Sequence, residues 1–282
     1  MMRYLATIAM LMLPVLANAR EVVALTGVLG DLTRQVGGER VNVFVLPQKN
    51  LHEREMSPRD AARISRATLV IASGMGLDDA LQTQIARIAS CPIVNASVGM
   101  TPIRGTCDHC TTHASIDPHW WHSIANAKIA VRNICDALVT ADPDGAATYR
   151  NNAIGYMQRL DELQTWASAA LSLIPRNKRR LALPHDALAY FARDFDFEVV
   201  SVMGFDAQPS SQHMAKTLRQ LKSVAVIFPE RGENRKIAET VAKANGLRLG
   251  GTLDVDDLSR NTPTYETMMR HNVQTIAEAL LQ

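Results

Sequence analysis

The feature that most constrains this chain is one unbroken helical pattern set between two stretches where short β-branched runs alternate with helical ones. Asp142 and Pro143 read as an N-cap and first helical residue. Apolar positions then recur at Ala146, Tyr149, Ala153, Met157, Leu160, Leu163, Ala167, Ala170 and Ile174, and Pro175 stops the pattern. At ~1.5 Å per residue such a helix runs roughly 45 Å, more than one small lobe requires, so it reads as a rigid strut. Before it, β-branched runs at 22–25, 41–46, 69–72 and 93–94 alternate with helical patterns at 29–36, closed by Gly37 and Gly38, and from Pro58 and Leu77. After it, runs at 181–183, 199–202 and 224–228 are separated by helical stretches around Leu188, Leu218 and Ile237. Alternation of this kind builds parallel sheets covered by helices. The expected fold class is α/β: two lobes, each a parallel sheet flanked by helices, over 20–141 and 176–282, joined by a single long rigid helix over 142–175. A last amphipathic helix follows Thr262 and Pro263 and carries Met268, Met269, Val273, Ile276 and Leu280.

The first residues carry a positive charge at Arg3, an apolar run at 5–16, and then Ala17, Asn18 and Ala19, a small-x-small cleavage pattern. Residues 1–19 are thus expected to be a removed signal peptide, since the apolar run is shorter than the ~20 residues a membrane-spanning helix needs. No cysteine follows the cleavage point to carry a lipid anchor. No later stretch is long and apolar enough to span a bilayer, and 47% hydrophobic residues suffice for a packed core, so a membrane-embedded protein is not expected. With 30 basic against 28 acidic residues, scattered along the chain, there is no electrostatic footprint for nucleic acid. Cys91, Cys107, Cys110 and Cys135 are placed by export in an oxidising compartment, where disulfides are expected, and three pairings are open.

Four positions put a good metal ligand where a strand gives way to a loop or helix: His52, His119, His185 and Asp256. They are too far apart for a local zinc finger, but they fit a cleft to which each lobe contributes two ligands from strand ends. His119 lies in Asp117-Pro118-His119-Trp120-Trp121, His185 in LALPHDALAYF at 181–191, and Asp256 in TLDVDDLS at 252–259.

Through these motifs the chain resembles the zinc and manganese receptors of bacterial ABC importers, a family marked by Asp-Pro-His-x-Trp, His-Asp-Ala-x-x-Tyr-Phe and a late Asp-x-Leu-Ser. The similarity extends to NVFVLPQKNLHEREMSPRD at 42–60, ASGMGLDDAL at 72–81 and YETMMRHNVQTIAEAL at 265–280. It implies two α/β lobes joined by one long helix, little domain closure, and a metal site in the interlobe cleft. Residue by residue it implies that His52, His119 and His185 are the histidine ligands and Asp256 the carboxylate. Asp257 stands where the family has a small residue, so Asp256 and Asp257 compete for the role, and strand alternation lets only one face the ion. Around His52 the chain reads Asn50, Leu51, His52, Glu53, Arg54 rather than Asp-Pro-His and an aromatic.

The implied protein is a periplasmic monomer, not an enzyme, whose partners are a divalent metal ion and the membrane permease of an ABC importer. Three imidazoles and a carboxylate suit Zn2+, with Mn2+ the alternative because manganese prefers more oxygen ligands. The competing readings are a manganese or iron receptor of the same fold, a periplasmic metal buffer or adhesin, and a secreted zinc hydrolase. The hydrolase is disfavoured because four protein ligands fill the shell and no His-Glu-x-x-His helix supplies a general base. Cys107, His109, Cys110 and His113 form either a secondary metal site or a disulfide-bonded loop. Trp120 and Trp121 are expected to pack the lobe and wall the site, and His122, His213 and His271 to be surface or capping residues. With ordinary imidazoles near pKa ~6.5, metal affinity is expected to fall below about pH 6. In a chelator-competition assay, His185→Ala is expected to cost far more affinity than deletion of 107–113; equal losses would remove the distinction between cleft and loop.

Overall fold

The computed structural model describes residues 19–47, 56–104, 116–202 and 217–282. His52, Cys107, His109, Cys110, His113 and His213 lie outside the described residues. Two four-stranded parallel sheets are present. The first contains β1 (Arg20–Ala24), β2 (Val41–Val45), β3 (Leu69–Ala72) and β4 (Ile93–Asn95) in the order β2-β1-β3-β4. The second repeats that order as β6-β5-β7-β8, with β5 at Arg180–Leu183, β6 at Glu198–Ser201, β7 at Val226–Ile227 and β8 at Arg248–Leu249. All pairings in both are parallel, as expected where helices supply the crossovers. The two-residue strand β8 was not legible in the sequence, because half of it is the exposed Arg248.

The helices that lie wholly within the described residues are α1 (Gly27–Gly37), α2 (Pro58–Ile64), α3 (Asp79–Ile85), α4 (Ile124–Ala141), α5 (Ala146–Ser172), α6 (Ala189–Phe195), α7 (Arg235–Asn245) and α8 (Tyr265–Leu281), and residues 217–221 are helical as well. Their ends follow local chemistry. Ser57 and Asp60 cap α2 reciprocally, Thr264 and Thr267 do the same for α8, and α1 runs into Gly38, whose φ of 55° a side chain would resist.

The central helix is shorter than its sequence pattern. Pro143–Gly145 form a 3-10 turn, and α5 starts only at Ala146 because the Asp142 carboxylate is committed elsewhere. It accepts from Tyr149 Oη at 2.7 Å, from Arg40 at 2.9 Å and from Arg20 at 3.2 Å, so it ties the start of α5 to the first sheet. At the other end α5 stops at Ser172, ahead of Ile174, which Pro175 pushes out of helical backbone. The buried stripe runs Tyr149, Ala153, Tyr156, Leu160, Leu163, Ala167, Leu171. Tyr156 and Leu171 take the inward places that a strict reading of apolar spacing assigns to Met157 and Ala170, because stepping by three and four residues follows 3.6 residues per turn.

Strand alternation divides the core. Outward residues such as Val23, Val70 and Ala72 in the first sheet, and Ala182, Val200 and Ile227 in the second, form two separate clusters under the outer helices. The inward residues Val22, Ala24, Leu69 and Ile71 and their counterparts Leu181, Leu183, Val226 and Phe228 belong to one continuous cluster, together with the buried stripe of α5 and the faces of α1, α4 and α8. The two lobes are therefore packed through a common core, and burial rather than a flexible connection sets their relative position.

The same division bears on one of the possible disulfides, Cys91 with Cys135, since Cys107 and Cys110 lie outside the described residues. Cys91 and Cys135 are both free, Cys91 packed against the outer cluster and Cys135 within the shared one, on opposite faces of the first sheet. Layers on a sheet are separated by about 10 Å, beyond the ~7 Å Cα separation a disulfide spans. No helix among the described residues is long and apolar enough to cross a membrane.

Leu160 is fully buried in the middle of α5. Leu160→Ala is expected to cost about 2–5 kcal/mol. Because both lobes share the cluster it touches, urea unfolding followed by far-UV circular dichroism and by tryptophan emission should shift together; separate transitions would contradict a common core.

Candidate functional site

Each sheet reverses its strand order between its first and third strands, and side chains beyond the carboxyl ends of such strands line a crevice. His185 follows β5 and Glu230 follows β7, on either side of the reversal in the second sheet. Facing them from the first lobe is the 3-10 turn Trp120–His122, whose preceding residue is His119. Trp120 Nε1 donates to Ser73 Oγ at 2.8 Å, which fixes this turn beyond the end of β3.

The third contribution comes from the segment 253–258, which leaves the second sheet and lies against the first lobe. Leu253 bridges to Glu230 in parallel fashion. The buried Asp254 carboxylate accepts from Thr262 Oγ1 at 2.7 Å and from Arg231, while Asn272 bonds both its N–H and its carbonyl. One residue on, the Val255 carbonyl accepts from Trp121 Nε1 at 2.8 Å and from His122 Nε2 at 2.7 Å. Asp256 then faces the two imidazoles, and Asp257 turns to α1, accepting from the Gly27 and Val28 amides at 3.0 Å each.

His119, His185 and Asp256 bring one ligand atom each within 4.8 Å of one another. His119 Nε2 and His185 Nε2 lie 3.8 and 3.5 Å from Asp256 Oδ1. Ligands bonded to one zinc at ~2.0–2.1 Å in a tetrahedron are spaced by roughly 3.3–3.5 Å, so the cluster is sized for a single small cation. Each imidazole is held from behind. Asp117 Oδ1 accepts from His119 Nδ1 and from its backbone N–H, both at 2.8 Å, and Glu230 pairs with His185 Nδ1. A carboxylate on Nδ1–H fixes the ring and directs the Nε2 lone pair to the cation. Tyr190 ties α6 to this shell, donating to the Asp117 carbonyl at 3.0 Å and accepting from the Ile103 amide at 3.1 Å.

Sequence reasoning singled out three of these positions but not Asp117 or Glu230 as orienting carboxylates. Asp117 was visible inside the Asp-Pro-His motif, and Glu230 follows the 224–228 run, so the strand-end rule applied to histidines would have found it. His122 corrects the expectation of a surface or capping residue: it is buried, and burial lowers its pKa to about 4, leaving a neutral ring that donates to Val255. His271 is half-buried, bonded to the Thr252 carbonyl. Trp121 is buried in a T-shaped contact with the His119 ring, at 5.3 Å between centroids.

Two α/β lobes on a shared core, with imidazoles and a carboxylate converging at their seam, define a bilobal binding protein built for a metal cation. The chain belongs to the family described as zinc-uptake complex component A, periplasmic, whose model matches residues 22–279. It is 29% identical to a manganese-binding lipoprotein of Halalkalibacterium halodurans, over 93% of this chain and 89% of that one. It is also 29% identical to an iron-binding protein of Yersinia pestis, over 94% and 88%. The manganese-bound form of a periplasmic metal-binding protein from Candidatus Liberibacter asiaticus superposes with a TM-score of 0.85 at 26% identity, covering 93% of this chain and 99% of that one. The family is one of metal-binding solute-binding proteins of ABC transporters.

Burial alone would lower the pKa of His185, but the Asp256 and Glu230 carboxylates outweigh it and raise it to about 10, while burial pushes Glu230 upward. The pair thus holds a proton well above neutral pH. A raised folded-state pKa contributes stability that is complete below the unfolded value of ~6.5 and is lost as pH rises through the folded one. The metal-free protein is therefore expected to lose thermal stability between about pH 6.5 and 10, and Glu230→Gln to flatten that slope; a pH-independent midpoint in the unaltered chain would contradict the assignment.

Proposed function

We propose that the chain is a periplasmic receptor, exported by removal of residues 1–19, that captures a divalent metal ion, zinc in preference to manganese, and hands it to the permease of an ABC importer. The observation that carries this reading is the convergence of two carboxylate-backed imidazoles and the Asp256 carboxylate at one point of the seam. His119, His185 and Asp256 are the proposed ligands here, with His52 the fourth.

The relatives' names divide between manganese and iron, and the matching family is named for zinc. The donor set favours zinc: three imidazoles and one carboxylate make a borderline, tetrahedral shell, whereas manganese prefers more oxygen. Capture requires every ligand to present a lone pair, so the ion must displace the proton held at His185. Asp256 comes from the segment that both lobes grip, so the ion bonds to groups already in place, and withdrawing any one of them opens the shell.

The test is a chelator-competition titration of metal-free protein with zinc, repeated with manganese, reading affinity and equivalents. One tight zinc equivalent is expected, with more than ~100-fold loss for His119→Ala or Asp256→Ala, beyond the ~10–100-fold typical of losing a supporting carboxylate. A second tight equivalent would assign a site of its own to Cys107, His109, Cys110 and His113. Manganese preference would overturn the choice of zinc, and no tight metal would overturn the receptor reading.

A further inference from the structure

Asp257 stands next to a proposed ligand and is engaged with the opposite lobe. Its Oδ2 accepts from the Gly27 amide and its Oδ1 from the Val28 amide, both at 3.0 Å, while Oδ1 also accepts from its own neighbour Leu258 at 2.8 Å. The first two amides open α1, and they lie about as far from Asp257 in sequence as the chain allows, 230 and 229 residues away. The helix does not need this carboxylate to begin. Thr26 is its N-cap, with Oγ1 accepting from the Leu29 amide at 3.0 Å and its carbonyl from the Gly30 amide at 2.9 Å. What the carboxylate adds is a charge-assisted tie at the positive end of α1, between a segment of the second lobe and a helix of the first.

The approach is close enough to dictate residue 27. A Cβ built on Gly27 would meet Asp257 Oδ1 at 2.4 Å, although its backbone is one that any residue adopts. Glycine is therefore needed there for the carboxylate to seat, not for the turn. One helical turn later, Asp31 of α1 accepts from the Tyr265 amide, the first of α8, at 2.8 Å. The two lobes thus exchange carboxylates at each other's helix starts, and Asp256 is carried on the segment that this exchange immobilises.

We propose that Asp257 is a positioning residue for the cargo: its latch on the α1 amides holds the adjacent Asp256 carboxylate against the imidazoles and so sets the rate at which the ion leaves. The proposal rests on Asp256 being a ligand. It concerns release more than capture, since the latch restrains the motion by which Asp256 would withdraw, and affinity changes within one binding site are carried mainly by the off-rate.

The test is the rate of zinc release into excess chelator by stopped flow, for the full mature chain and for Asp257→Ala, Asp257→Asn, Gly27→Ala and the Asp257→Ala, Gly27→Ala pair. Either alanine substitution is expected to speed release ~10-fold with zinc stoichiometry unchanged, and the pair to be no faster than either single, because both break one contact. Asp257→Asn, which keeps an acceptor but not the charge, should fall between, and it keeps the test open if Asp257→Ala does not fold. Asp142→Asn, which removes a carboxylate away from the cleft, should lower the thermal midpoint without altering release, separating positioning from general destabilisation. Release from Asp257→Ala within about twofold of the unaltered rate, or singles whose effects multiply in the pair, would overturn the latch and leave the receptor reading standing. If the unaltered chain binds no tight metal, the receptor reading falls and the latch with it; if Asp256→Ala leaves the affinity intact, Asp256 is not a ligand and the latch falls alone.

Discussion

The placement of the cleft depends on one saturated carbonyl. Val255 receives N–H groups from Trp121 and His122, both buried in the first lobe, so the backbone of the segment bearing Asp256 is fixed by the lobe that also provides His119. A buried carbonyl released from two such donors would lose about 1–3 kcal/mol of satisfaction, which makes slippage of the segment costly. The neutral state of His122, enforced by burial, is part of this arrangement. A charged ring there would be an uncompensated ion inside the core.

Around that point the structure resolves a conflict between rigidity and charge. A cation site must gather polar atoms, and buried polar atoms are costly unless each has a partner. Here the cost is met in layers: Asp117 and Glu230 behind the imidazoles, Tyr190 and the backbone around Asp117, and Arg231 with Thr262 around Asp254. Outside these layers lies the shared apolar core, which packs the two lobes together.

The architecture was largely legible in the sequence, because six of its strands carry β-branched runs, β5 is a short apolar run of leucine and alanine, and the central helix is a long uninterrupted pattern. What the sequence could not give was whatever depends on tertiary partners. Asp142 looks like a cap but serves Arg20, Arg40 and Tyr149, which delays the start of α5. His122 looks like a loop residue but is aimed at a carbonyl 133 positions away. At the cleft the histidines announced themselves by type and context, whereas Glu230 resembled any other acidic residue at a strand end. Adjacent Asp256 and Asp257 were indistinguishable by composition, and only the proximity of α1 to one and of two imidazoles to the other separates their surroundings.

The distances in sequence across the seam have a consequence for the order in which the molecule matures. The bonds from Gly27 to Asp257 and from Tyr265 to Asp31 join points 230 and 234 residues apart, and such closures come late because the chain entropy they cost is repaid only when both ends are present. A chain that emerges from its amino end can form the first sheet early, yet the cleft lacks its carboxylate wall until the last part of the polypeptide arrives. The meeting of His119, His185 and Asp256 is thus among the last features this chain acquires as it folds, and a nascent copy that lacks the segment 253–265 has no complete cleft.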